Sequence, residues 1–131
     1  MSHSENFQKL ADEAQAKIQE ISLEQLNLSE AETSPVLVDV REESEWRKSH
    51  AEGAIHLSRG IIEQKIEEVI PDRETPIVCY CGGGNRSALV AESLQKLGYT
   101  RVQSLIGGFK GWKEAGLPIV DENPDTSLPP S

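Results

Sequence analysis

The sequence predicts an α/β domain of three layers, a mostly parallel central sheet flanked by helices, with an extra amphipathic helix at the N-terminus. Three observations carry this. The runs Val36-Leu37-Val38-Asp39-Val40 and Ile77-Val78-Cys79-Tyr80 are apolar at nearly every position, as parallel strands buried on both faces are. The segments around them carry apolar residues at helical spacing. Strands and helices of this length alternate along the chain, the mark of an α/β arrangement. At 131 residues the chain fits one domain, large enough for a core without disulfides or metals.

The elements follow in order. Phe7, Leu10, Ala11, Ala14, Ile18 and Ile21 recur at helical spacing and predict an amphipathic helix over about residues 4–19. Its apolar stripe must pack on the domain body, on a protein partner or on a second copy. Ser22 and Gln25 form a capping box opening a short helix through Leu26. The strand 36–40 follows Ser34-Pro35. A short helix over 42–48 carries Trp46, 54–57 reads as a short strand, and 61–69 as a helix stopped near Pro71. After the strand 77–80, a helix over 86–97 turns Val90, Ala91, Leu94 and Leu97 inward, with Gly98 as its cap. A strand over 101–105 precedes a last helix from Gly107-Gly108 to Ala115, stopped by Gly116 and Pro118. The Pro-, Ser- and Asp-rich tail from Asp121 is expected to be disordered.

A formal net charge of −9 argues against nucleic acid and anionic membranes as partners. No apolar stretch is long enough to cross a membrane, and the opening residues lack a signal-peptide pattern, so a cytoplasmic protein is expected. The only cysteines, Cys79 and Cys81, do not make a disulfide framework. With three histidines scattered elsewhere they make a poor zinc set, so no metal and no cofactor are expected. Cys79 reads as a small buried residue of the strand.

Chemistry concentrates in Cys81-Gly82-Gly83-Gly84-Asn85-Arg86-Ser87, which joins a buried strand to a helix. Backbone N–H groups converge at a helix N-terminus and favour an anion there. Glycines let the chain turn sharply and bring those groups close to a sulfur. A thiol in such a ring, with Arg86 nearby, is a nucleophile. Cys81 is therefore the candidate catalytic residue, and Gly82, Gly83, Gly84, Asn85 and Arg86 the candidate loop for an anionic substrate. In an α/β sheet, ligands bind at the carboxyl ends of strands, where both Cys81 and Asp39 fall.

The sequence resembles the rhodanese (sulfurtransferase) family over about residues 20–119. The resemblance rests on Leu37 to Glu42, Glu45-Trp46, His50 to Leu57, Tyr80-Cys81 through Arg86-Ser87, Leu97-Gly98-Tyr99, and Leu105 to Phe109 with Trp112. It implies a rhodanese-like domain over 20–119, an N-terminal helical extension over 1–19 and a tail over 120–131. It also implies that Cys81 takes a sulfane sulfur from a small anionic or thiol-borne donor and passes it to a nucleophilic acceptor. Ser49 stands where the family has glycine, and Glu52 at a proline-type position. No lysine or arginine lies between Cys81 and Arg86, so no side-chain cation there favours a thiosulfate dianion over a persulfide.

Two other readings compete. Cysteine phosphatases use a similar ring but place five residues between cysteine and arginine; only Gly82, Gly83, Gly84 and Asn85 intervene here, leaving a ring sized for sulfur. A sulfur-carrier or partner-binding module would keep the same loop without efficient turnover. Among supporting residues, Asp39 and Arg41 are expected to pair with Arg86 or to brace the loop, and Ser87 to hydrogen-bond within it. His56, at the end of a short strand, reads as a satisfied core or turn residue, and Trp46 and Trp112 as core anchors.

Overall fold

A computed structural model describes residues 4–27 and 35–121. Its main sheet runs in the order β1 (Gln19–Ile21), β6 (Val102–Leu105), β5 (Ile77–Tyr80), β2 (Val36–Asp39) and β4 (Ile55–His56), every neighbouring pair parallel. The chain supplies α1 (Glu5–Gln15), α2 (Leu23–Asn27), α3 (Glu43–Lys48), α4 (Ile62–Val69), α5 (Asn85–Lys96) and α6 (Gly108–Glu114) around it. A second, two-stranded sheet pairs β3 (His50–Ala51) antiparallel with β7 (Ile119–Val120).

The two-residue period of a strand divides the apolar runs between two cores. Val38, Val40, Ile77, Cys79 and Cys81 face one side and pack with Ile62, Ile66, Val90 and Leu94 of α4 and α5. Leu37, Val78 and Tyr80 face the other, with Leu105, Phe109 and Trp112. Because both faces are covered, all four residues of β5 are buried, and β5 forms the centre of the sheet. Its carboxyl end, where Cys81 lies, is thereby held by a neighbouring strand on each side.

Local signals account for most element ends. The Ser22–Gln25 capping box is present: Gln25 N–H donates to Ser22 Oγ at 3.1 Å and Ser22 N–H to Gln25 Oε1 at 3.0 Å. Gly98, at φ +100°, follows α5 and donates its N–H to the Gln95 carbonyl. The first helix is shorter than its apolar spacing suggests. It stops at Gln15, and Gln19 to Ile21 instead form β1 against β6. Ile18 and Ile21 fit either period, and the unpaired edge of β6 selects the strand. β3 and β7, each two residues long, carry too little pattern to be foreseen. β7 extends through Val120, one residue past the boundary expected for the domain. The expectation for the tail beyond Asp121 lies outside the described residues.

The N-terminal helix packs intramolecularly. Ser4 Oγ caps α1 by accepting the Phe7 N–H at 3.1 Å, and Ala11 and Ala14 are buried where α1 meets α5. Lys17 adds an ion pair to Glu92 of α5 at 3.4 Å. Small residues allow this close approach, so Ala11→Asp buries a charge with no room or partner. Urea unfolding should show a loss of about 2 kcal/mol or more. An unchanged midpoint would mean that α1 is not docked on α5.

Candidate active site

Cys81 follows β5 directly and is 1% exposed. The chain then reverses through Gly82, Gly83 and Gly84 into α5. Gly84 takes φ +122°, a conformation that side chains rarely tolerate, and stands at the N-cap of α5. From there its N–H donates to Cys81 Sγ at 3.0 Å. The first N–H groups of α5, on Asn85, Arg86 and Ser87, have no acceptor within the helix. The sulfur thus sits below a helix N-terminus with one amide already on it. Ser87, fully buried, lies beneath: the Cys81 thiol donates to its Oγ at 3.6 Å, and Ser87 Oγ donates to the Gly84 carbonyl at 3.2 Å. Ser104 Oγ and Ser87 Oγ are hydrogen-bonded to each other at 2.7 Å.

The outer wall of the loop is α6. The N–H groups of Phe109 and Lys110 donate to the carbonyls of Cys81 at 2.7 Å and Gly82 at 3.1 Å. Each peptide unit is planar and trans, so its N–H points opposite to its carbonyl. Pinning these two carbonyls on α6 turns the N–H groups of Gly82 and Gly83 away from it. Gly108 makes this approach possible. A Cβ there would lie 2.3 Å from the Cys81 carbonyl oxygen and 2.8 Å from that of Gly82, and its φ is +54°.

The charged residues are arranged differently from the sequence expectation. Arg86 pairs with Glu45 of α3, Nη1 to Oε1 at 2.7 Å and Nη2 to Oε2 at 3.2 Å. The guanidinium holds the Glu45 carboxyl below its ordinary range, against the opposing effect of burial, and Glu45 in turn raises Arg86. Asp39 and Arg41 pair with each other rather than with Arg86. Arg41 grips both oxygens of the buried Asp39 carboxylate, donates to the Ser49 carbonyl at 2.7 Å and lies 4.3 Å from the Phe109 ring centre. Two residues apart across a strand end, they satisfy each other locally. Their brace is at the end of α3, one step from the loop. The Tyr80 hydroxyl accepts the Ala51 N–H at 3.0 Å, and burial, with the neighbouring Asp39 carboxylate, raises its pKa.

The remaining candidates take structural places. His56, at the end of β4, has its Nε2 2.8 Å from the Arg41 carbonyl and is satisfied there. Trp46 is half-buried and stacks on His50 at 3.4 Å and on His56 at 5.0 Å, outside both cores, where α3 packs beside β3. Trp112 belongs to the core on the far side of the sheet, its Nε1 donating to the Pro118 carbonyl at 2.7 Å. Cys79 is fully buried, and burial pushes its thiol up to about 12. A cleft of about 250 Å³ lined by Gln19, Pro76 and Arg101 lies at the amino ends of the strands, away from Cys81.

Four residues had no role in the sequence reading. Glu45 and Gly108 lay within recognisable motifs, but their partners are distant in the chain. Ser104, a polar residue inside an apolar strand, was the available signal for a buried hydrogen bond. Gln8 faces the loop from α1: it exchanges amide hydrogen bonds with Asn85, at 3.3 and 3.5 Å. The N-terminal extension therefore touches the first residue of α5. Among the described residues no cluster of His, Cys, Asp or Glu is suited to a metal ion, and no helix is long and apolar enough to cross a membrane.

A buried strand running into a cysteine, with the Gly84 N–H on its sulfur at a helix N-terminus, defines an α/β protein with a thiol at the carboxyl end of its central strand. The family described as "Rhodanese-like domain" matches residues 22–115, and the chain belongs to it. Relatives named thiosulfate sulfurtransferase GlpE are similar: that of Tolumonas auensis is 38% identical over 61% of this chain and 74% of its own. That of Haemophilus influenzae is 42% identical over 64% of this chain and 78% of its own. Among solved structures, a Rhodopseudomonas palustris protein described as of unknown function and a possible tyrosine phosphatase superposes with a TM-score of 0.78. It is 29% identical, over 92% of this chain and 98% of its own. A polysulfide-sulfur transferase homodimer from Wolinella succinogenes gives a TM-score of 0.76 at 26% identity, over 94% of this chain and 93% of its own.

Two outcomes follow from this geometry. Gly108→Ala should separate α6 from the loop, lower stability by roughly 2–4 kcal/mol and reduce Cys81 reactivity, read by urea unfolding and by alkylation. Wild-type stability in that variant would contradict the close approach. Peptide mapping after brief iodoacetamide treatment of the folded protein at pH 8 should find Cys81 modified and Cys79 untouched. Equal labelling would contradict the burial of Cys79.

Proposed function

We propose that this protein is a sulfurtransferase that moves a sulfane sulfur through a persulfide on Cys81. The observation that carries the reading is the Gly84 N–H on Cys81 Sγ at 3.0 Å, at the N-terminus of α5. The thiosulfate sulfurtransferase relatives, at 38–42% identity, support the reaction class.

In the first step the Cys81 thiolate attacks the sulfane sulfur of the donor. A new S–S bond forms on Sγ, the donor's own S–S bond breaks, and its electron pair leaves on sulfite (from thiosulfate) or on a thiolate (from a persulfide). The outer sulfur keeps its own negative charge, and the charge of the attacking thiolate appears on the leaving group. In the second step a nucleophilic acceptor attacks that sulfur, and the electron pair of the Cys81 S–S bond returns to Sγ. The loop's role is electrostatic: amides fixed before the reaction hold sulfur anions in both states without reorganising. Gly82 and Gly83 contribute N–H groups turned from α6, and α5 contributes those of its first turn. Ser87, already hydrogen-bonded to the sulfur, can turn its proton toward Sγ when Cys81 is ionised. Arg86 and Asn85 hold the loop to α3 and α1 through Glu45 and Gln8. This division of labour needs no general base. The partners implied are a small anionic or thiol-borne donor and a thiophilic acceptor.

A cysteine phosphatase is the second reading, favoured by the description of the Rhodopseudomonas palustris neighbour. Four residues between Cys81 and Arg86, with the guanidinium already matched by Glu45, leave less for three phosphate oxygens than a phosphatase requires. Mass spectrometry after exposure to thiosulfate should find one added sulfur on Cys81, removed by cyanide as thiocyanate. Cys81→Ser should abolish this transfer while keeping the fold, and Cys79→Ser should keep most activity. Equal loss in both variants would contradict a single nucleophile, and aryl-phosphate turnover lost in Cys81→Ser would restore the phosphatase.

A further inference from the structure

We propose that Glu45 is a specificity-determining residue: by matching the charge of Arg86 at the rim of the loop, it favours monoanionic, thiol-borne sulfur donors over the thiosulfate dianion. The inference rests on the persulfide reading above. Arg86 is the only cationic side chain from Cys81 through Ser87. Its guanidinium folds back over the loop, since a Cβ on Gly82, the residue after Cys81, would lie 3.3 Å from Nη2. Both carboxylate oxygens of Glu45 take up that guanidinium, at 2.7 and 3.2 Å. The two side chains together contribute no net charge beside the sulfur.

The carboxylate is fixed independently of Arg86. Glu45 Oε1 also accepts the Glu42 N–H at 3.0 Å, closing the capping box of α3. The far end of α3 is held by Arg41 on the Ser49 carbonyl. A carboxylate held this way stays at the rim when a donor arrives. Coulomb energy scales with the donor's charge, so a dianion feels the carboxylate twice as strongly as a monoanion does. The formal charge of −9 on the whole chain acts in the same direction. In either case the bonding change is the same: Sγ gains the donor's sulfane sulfur, and the donor's S–S electron pair leaves on sulfite or on the thiolate. Only donor charge differs.

The test compares kcat/KM for thiosulfate with that for the persulfide of 2-mercaptoethanol, whose thiol body is uncharged. Glu45→Gln removes the charge but keeps the Oε1 acceptor of the α3 cap. It should raise the thiosulfate-to-persulfide ratio roughly tenfold, through KM for thiosulfate, and added salt should shrink the shift. A ratio unchanged or moved the other way would overturn the proposal, because a pair that only ties α3 to α5 affects both donors alike. Arg86→Gln leaves the carboxylate unmatched and should lower the ratio, so the assignment stays testable if Glu45→Gln folds poorly; an unmoved ratio there also overturns it. If wild-type Cys81 gains sulfur from neither donor, the persulfide reading falls and this inference with it. Loading from both donors with an unmoved ratio removes the charge assignment alone.

Discussion

The site depends on two carbonyl groups being held away from the sulfur. A loop of three glycines has many conformations, including ones that would point carbonyl oxygens, not amides, at Cys81. The first turn of α6 removes that freedom by donating from Phe109 and Lys110 to the carbonyls of Cys81 and Gly82. Peptide planarity then fixes the direction of the next two N–H groups. This requires α6 to approach the loop more closely than any side chain at position 108 permits. The order of the sheet makes the approach possible: β6, which leads into α6, is the neighbour of β5, which leads into the loop. Topology, one glycine and two hydrogen bonds together orient the ring.

The same frame gives two cysteines different surroundings. Cys79 and Cys81 face one side of the sheet and belong to one apolar cluster. Cys79 lies within the strand, where burial, with the neighbouring Cys81, pushes its thiol up to about 12. Cys81 lies one residue beyond the strand, where the backbone turns and offers the Gly84 N–H. The distinction is one of backbone direction over two residues, since the side chains are identical and both are buried. Around the loop, α3 and α1 hold Arg86 and Asn85 from either flank. The N-terminal helix, outside the span of the family match, is thus continuous with the site.

Much of this was legible in the sequence because it was local. The buried strand 77–80, the glycine run and the helix after it are contiguous, and their order alone places a thiol at a helix N-terminus. The Ser22–Gln25 cap was readable for the same reason. What could not be read were choices settled by distant partners. Ile18 and Ile21 satisfy helical and strand periods equally, and only the edge of β6 decides between them. Asp39 finds Arg41 two residues away before it can reach Arg86, and Arg86 finds Glu45, which is 41 positions earlier in the chain. Trp46 has the composition of a core anchor, yet stacks between two histidines at the margin of the fold. Gly108 was visible as part of a glycine pair, but its need is apparent only when the Cys81 carbonyl is set against it.

The central claim is that backbone amides of the loop, held by α6 and by the start of α5, carry the charge of sulfur on Cys81. Amide spectra of the ¹⁵N-labelled protein, recorded before sulfur loading, after loading and after removal of the sulfur with cyanide, test it most directly. The account predicts that the largest reversible shifts fall on Gly82 to Ser87, with smaller ones on Phe109 and Lys110. Loading of Cys81 that leaves those amides unmoved, or shifts centred elsewhere in the sheet, would contradict it.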